Sequence, residues 1–409
     1  MSSSDVSRQR VAPHTANFGA YRLHSVFQTI FSLSHRRAVG FEALVRPQLG
    51  AKIPVSPAGL FGWASDHGEL RALDAACQRL HVRNFAAIAP PARWLFLNVD
   101  AQTITSRGFD DGLLAGILEQ ASLGPHRLVI EILEGRIRDE GLLLEAVDYF
   151  RSLGALVALD DFGTGHSNFD RVWRLAPDII KLDGSLMAQA EAHHSDRLRR
   201  ILPNLVALMH EAGSFVLAEG VETHDQGLIA LDADIDFVQG FHFGYPTGAI
   251  NAEETAEATA ALAALTQNFA ETASQEQQAS RQSLAPHLDV FRAVAEAIEQ
   301  GTGFDDAVAS LLALPRTARV YLLNEWGEEI GHYRGVEDRD ARARRFDPVA
   351  DTSGGTWFRR GYFRSAVNEP RRVQISRPYR SSTGTALCVT LSVCSPDTPH
   401  RVFCCDVMC

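Results

Sequence analysis

The sequence predicts an α/β protein: a (β/α)8 barrel of the TIM type with an antiparallel first strand, then a helical connector and a small α+β domain. Three observations lead there. Between Phe27 and Phe243 eight short β-rich runs alternate with stretches of helical pattern, close to the ~250 residues usual for such a barrel. From 249 to 300 the chain becomes rich in Ala, Glu and Gln, with few Val or Ile. From about Gly301 apolar runs return, now punctuated by Gly and Asn as short antiparallel strands are.

Residues 1–18 are polar, without the apolar core of a secretion signal, and read as a mobile tail. The barrel, 19–248, contains the runs FQTIFSL, AVGFEALVR, WLFLNV, LVIEIL, LVALDDF, IIKLD, FVLAEGV and FVQGFHF. Only SHRR joins the first run to the second, and a parallel crossover needs a dozen or more residues, so this pair is expected to be antiparallel. The segment 249–300 reads as one long helix or a helix pair connecting domains. In 301–409, FDDAVASLLAL suits a short helix, and ARVYLLNEWG, RRVQISRPYR and TALCVTLSVC suit strands.

Composition excludes several classes. The chain is 45% hydrophobic and 22% charged, a balance that suits a soluble protein with sizeable cores. No stretch reaches the ~18 apolar residues of a membrane span, so no membrane insertion and a cytoplasmic location are expected. A net charge of −11 argues against binding a nucleic-acid polymer, but leaves room for a small anionic ligand where a metal supplies positive charge. The acidity belongs to the first two-thirds, because from 301 onward 15 arginines face 13 acids. The run DRDARARR at 338–345 reads as a solvated loop. Five of the six cysteines fall in the last 22 residues without a CxxC pair, so they suit apolar strand positions better than a disulfide framework or metal site.

The chemistry lies at the strand ends, which build the active sites of barrels of this type. Glu42, Asn98, Glu131, the pair Asp160 and Asp161, Lys181 with Asp183, Glu219 with Glu222, and Gln239 occupy seven consecutive strand ends. Carboxylates and an amide without His or Cys form a hard oxygen set suited to Mg²⁺ or Mn²⁺ rather than zinc. A shared carboxylate can hold two such ions ~3.5–4 Å apart for in-line attack on a phosphodiester. Lys181 is one of only two lysines in the chain and lies inside an apolar run, as an ammonium that orients water or stabilises developing charge would. In LDDFGTG, Asp160 is expected to end its strand and Asp161 to begin a turn, with Gly163 and Gly165 allowing the bend.

These motifs resemble the EAL-domain phosphodiesterases, which hydrolyse cyclic di-GMP to linear pGpG. EALVR at 42–46, LDDFGTG at 159–165, IKLD at 180–183, AEGVET at 218–223 and QGFHFGYP at 239–246 carry the resemblance, in order and at matching spacings. It implies metal coordination by Glu42, Asn98, Glu131, Asp160 and Asp161, with Asp160 shared between two ions. It gives Glu219 to the second metal and the catalytic water, Gln239 a contact through water, and Lys181 the water-orienting role. It further implies that Gln28, Leu44, Arg46 and Asp183 hold the substrate, Arg46 through phosphate and Gln28 near a guanine, and that Glu134 ties down the loop after Asp161. A homodimer is also implied.

The sequence departs from the family pattern at Thr29, Leu133, His166, Asn168 and Gly184. His166 and Asn168 fall in the loop after the aspartates, where loop order and dimer contact would change before chemistry does. LLNEWGEEIG, TWFRRGYF at 356–363 and ISRPYRSSTGTALCVTLSV at 375–393 loosely resemble the PAS-like or Cache-like domain that follows the EAL domain in some members. That leaves two roles for 301–409: a pocket for an unidentified small molecule, or a dimerisation module. The alternative to an enzyme is a catalytically silent cyclic di-GMP receptor that signals to a protein partner. Such a receptor should have lost members of the set Glu42, Asn98, Glu131, Asp160 and Lys181, and all are present.

Overall fold

The computed structural model describes residues 10–11, 14–50, 53–89, 92–100, 103, 111–133, 139–163, 169–192, 196–250, 252–330, 334–335, 355–380, 387–395 and 400–409. Glu134, Gly165, His166, Asn168 and the 338–345 run lie outside these residues. The chain divides into two compact units, 1–272 and 273–409.

In the first unit eight strands close a barrel: β1 (Tyr21–Ser32), β2 (Arg37–Leu49), β3 (Trp94–Val99), β4 (Leu128–Leu133), β5 (Leu156–Phe162), β6 (Ile179–Leu182), β7 (Phe215–Ala218) and β8 (Phe237–Val238). β1 is antiparallel to both neighbours, β2 and β8, and the other pairings are parallel. The turn at 33–36 is too short for a crossover, so β1 and β2 form a hairpin, with Arg36 left-handed at φ 49°.

Side chains alternate along a strand, and this period of two organises the interior. Ile30, Phe96, Val129, Ala158, Ile179, Leu217 and Phe237 pack into one buried apolar cluster across seven strands. Two positions along the same seven strands, on the same face, come Gln28, Asn98, Glu131, Asp160, Lys181, Glu219 and Gln239. On β2 the equivalent pair is Gly40 and Glu42; a Cβ on Gly40 would lie 2.9 Å from the Phe96 ring. Polar residues thus form a layer resting on an apolar one.

Two details of the sequence reading change. Thr15–Phe18, assigned above to the mobile tail, forms a strand antiparallel to the start of β1, in register Thr15 to His24. The segment after the barrel is a single helix, Ala252–Glu299, and it is not a bare connector, because the division between the units falls within it. Ala258, Leu262 and Leu265, at helical spacing, join the barrel core, whereas Leu284, Phe291 and Val294 join the core of the second unit.

The second unit holds an antiparallel sheet built from β9 (Thr317–Leu323), β10 (Arg334–Gly335), β11 (Gln374–Ile375), β12 (Tyr379–Arg380), β13 (Leu387–Cys394) and β14 (Val402–Met408). Helices Phe304–Leu312 and Gly361–Asn368 accompany it. Cys388, Cys394, Cys404 and Cys405 are buried free thiols on strands and act as small core side chains, whereas the Cys409 thiol is free and exposed. No described helix is long and apolar enough to cross a membrane.

Candidate active site

Lys181 is the organising group of the polar layer. Burial is nearly complete, at 1% exposure, and its ammonium lies 2.5 Å from Glu131 Oε1, 2.6 Å from Glu219 Oε1 and 3.0 Å from Asp160 Oδ1. An ammonium has three donors and here each meets a carboxylate. Burial alone would depress the Lys181 pKa, but Asp160, Glu131, Glu219 and Glu42 outweigh it and raise it well above normal, so the side chain is charged. Glu131 is moved upward chiefly by burial, opposed by Lys181 and reinforced by the neighbouring carboxylates. Burial likewise pushes Glu219 up to about 8, against the pull of Lys181.

A second group of contacts forms around Glu42. Asn98 Nδ2 donates to Glu42 Oε1 at 3.0 Å and Gln239 Nε2 to Glu42 Oε2 at 2.8 Å. Gln239 Nε2 also reaches Gln28 Oε1 at 3.2 Å, and Gln28 Nε2 donates to the Gly244 carbonyl at 3.3 Å. The two amides thereby fix both carboxylate oxygens of Glu42 from β3 and the end of β8.

The aspartate pair converges differently from expectation. The strand does not end at Asp160 but runs on to Phe162, and the bend is a bulge in the β5–β6 ladder between Leu159 and Phe162. Asp161 itself adopts the left-handed conformation at φ 59°, followed by Gly163 at φ 110°. The bulge turns Asp161 to the side of Asp160, whose Oδ1 accepts the Asp161 amide at 2.9 Å. Carboxylate oxygens of Asp160, Asp161 and Glu219 then lie within 4.8 Å of one another.

The remaining candidates are more dispersed. Leu44 and Arg46 follow Glu42 on the same face of β2, and the Arg46 guanidinium donates to the Val45 carbonyl at 3.0 Å. Asp183 caps the helix Gly184–Glu191 by accepting from the Ser185 amide at 3.0 Å. A Cβ on Gly184 would lie 3.1 Å from the Cα of Gly220, in the loop after Glu219. Sequence reasoning missed the supports of that loop: Gln226 Oε1 accepts from the Glu222 amide at 2.7 Å, while Glu191 accepts from Thr223 Oγ1 at 2.6 Å and Gln226 Nε2 at 2.8 Å. The Thr-x-x-Gln capping pattern at 223–226 was the available signal.

Among the described residues five carboxylates (Glu42, Glu131, Asp160, Asp161 and Glu219) gather around one buried cation, Lys181, which contacts three of them, so acidic groups outnumber basic ones in the cluster. Glu131 Oε2 and Gln239 Oε1 are buried oxygens that meet no hydrogen-bond donor among the described residues. Unpartnered oxygens among carboxylates are what a hard divalent cation and its waters would satisfy, so the residues fit Mg²⁺ or Mn²⁺.

Residues 15–246 match the EAL domain, and the chain belongs to the EAL-domain family. An uncharacterised protein of Azorhizobium caulinodans is 31% identical over 55% of this chain, and the chain spans only 31% of its length. A protein of Pseudomonas aeruginosa named a cyclic di-GMP phosphodiesterase is 31% identical over 49% of this chain and 34% of its own. The YkuI protein of Bacillus subtilis, whose structure was determined with cyclic di-GMP and calcium, superposes with a TM-score of 0.76 over 95% of this chain and 96% of its own. At 21% identity that likeness extends the shared fold to both units.

Proposed function

We propose that this chain is a metal-dependent phosphodiesterase hydrolysing cyclic di-GMP to linear pGpG. The observation that carries the reading is the fully buried Lys181 in contact with Glu131, Asp160 and Glu219, with unpartnered acceptor oxygens beside them. Membership of the EAL family and the Pseudomonas relative support the substrate.

Glu42, Asn98, Glu131, Asp160, Asp161 and Glu219 would hold Mg²⁺ or Mn²⁺, two ions with Asp160 shared, and Gln239 would act through water. When bound, such ions activate water at neutral pH and stabilise charge on phosphate oxygens. Lys181 holds three carboxylates at fixed positions, and its ammonium would orient the attacking water once cations take up those oxygens. Glu219, in contact with Lys181 and partly open to solvent, would serve the second metal and the catalytic water. Gln28, Leu44 and Arg46 lie on β1 and β2 beside Glu42, where Arg46 would grip a phosphate and Gln28 a guanine edge. Asp183, at the head of its helix, completes the substrate set. We assign catalysis to 19–248, action as a homodimer, and sensing or dimerisation to the second unit.

The test is incubation of the chain with cyclic di-GMP and either Mg²⁺ or Mn²⁺, followed by chromatography for pGpG. Formation of pGpG that EDTA and Lys181→Ala both abolish is expected. Absence of product with either metal overturns the reading; tight binding in EDTA without turnover in metal would identify a receptor instead.

A further inference from the structure

The barrel has a second mouth, at the opposite end from Lys181, and its chemistry is unlike that of a structural plug. A cavity of about 510 Å³ opens there, within the range of small-molecule sites. Its wall is aromatic: Trp94 packs edge-on against Phe237 at 6.0 Å, and Phe215 against Phe237 at 5.5 Å. Phe215 is 53% exposed although it begins a barrel strand. Its rim is basic: Arg37, Arg93 and Arg127, with His35 and His126.

Among the described residues neither Arg37 nor Arg93 forms an ion pair, while the Arg127 guanidinium stands over the Phe85 ring at 5.1 Å. The one carboxylate there, Asp236, directs Oδ2 to His210 Nε2 and to the Val216 amide, both at 2.8 Å. The Arg127 guanidinium donates to the Arg93 carbonyl at 3.0 Å, which holds those two residues side by side. Arg37 is close enough to Arg93 to depress its pKa, together with the larger effect of burial. The bottom face of such barrels ordinarily serves stability, but stability would be better served by apolar closure or paired charge than by neighbouring arginines beside the exposed Phe215 ring. The apolar layer of Ile30, Phe96, Val129, Ala158, Ile179 and Leu217 separates this mouth from the carboxylates, so it is no extension of their site.

We propose that this mouth binds a small aromatic anion of nucleoside monophosphate size, its ring against Trp94 and Phe215 and its oxyanion between Arg37 and Arg93. Stacking on aromatic faces and charge-assisted bonds from guanidinium groups are the complementary recognition modes. The site stands independently of the proposed activity, since none of its residues belongs to the polar layer.

Trp94 emission in the intact chain, in EDTA, is the reporter, with GMP as probe. Saturable quenching by GMP is expected, at least tenfold tighter than with guanosine or inorganic phosphate alone, and absent in Trp94→Phe. The double variant Arg37→Gln/Arg93→Gln should weaken GMP at least tenfold, Phe215→Ala at least fivefold, and Glu42→Gln not at all. Both losses come from replacements at the rim and wall, and if the arginine variant fails to fold, Phe215→Ala decides. Quenching that survives these variants, that equimolar NaCl reproduces, or that Glu42→Gln removes overturns the proposal.

Discussion

Replacing Lys181 with methionine keeps the apolar stem and removes only the ammonium, leaving Glu131, Asp160 and Glu219 without their shared cation. The three contacts, at 2.5–3.0 Å, are each worth about 6 kcal/mol of gross attraction at an effective dielectric near 20. Desolvation offsets most of this, and the measured cost of breaking a buried pair is about 3–5 kcal/mol. At about 2–4 °C per kcal/mol for a unit this large, the melting transition in EDTA should fall by roughly 10 °C. Millimolar Mn²⁺ should recover much of the loss, because a divalent cation can neutralise the same oxygens. It should not recover hydrolysis, which should remain at least about 100-fold down, as for loss of a group stabilising transition-state charge. Melting followed by circular dichroism, with and without metal, and pGpG chromatography read the two effects separately. A fall below about 2 °C in EDTA, or hydrolysis within about tenfold of the parent, would refute the reasoning.

Other perturbations separate structure from chemistry. Glu42→Gln presents an amide where Asn98 and Gln239 both donate, so Mn²⁺ affinity by calorimetry should weaken at least about 10-fold, as when partners of a metal site are lost, with the fold retained. Asp161→Gly relieves the left-handed φ of 59° and should raise stability by up to about 1 kcal/mol, yet abolish hydrolysis; an unchanged rate would remove Asp161 from the site. Asp74 is pushed up to about 7, first by burial and then by Asp100, so the folded form holds a proton that the unfolded chain releases near 4. Stability should therefore fall as pH rises from about 4 to 7, by an amount on the order of 2–4 kcal/mol. Asp74→Asn should flatten that dependence and melt higher at pH 8; identical pH–melting curves for the two proteins would contradict it.

The fold was largely legible because its strands announce themselves as short apolar runs ending in one polar residue. The SHRR link fixed the direction of β1 by its length alone. The thread broke where long-range packing overrides local composition. Thr15–Phe18 is polar enough to read as tail but gains a ladder with β1. The Ala-rich helix looked like a linker because its sparse apolar positions, Ala258, Leu262 and Leu265 and later Leu284, Phe291 and Val294, are divided between two cores. Gln226 and Glu191 escaped notice because they act on a loop through side-chain bonds between separate helices.

By itself the sequence determined the residue types and their period of two: an apolar side chain, then a polar one two positions on, repeated around the strands, with a single lysine among carboxylates. What it could not determine is where a chain stops being regular and which distant groups meet. The carboxylates of Asp160 and Asp161 reach one side because a bulge puts Asp161 itself into a left-handed turn. The basic aromatic mouth gathers Arg37, Trp94 and Phe215 from the starts of three strands and Arg127 from the turn before β4, where no sequence motif links them. Closing a barrel brings together residues more than a hundred positions apart, and only the closed ladder sets their distances.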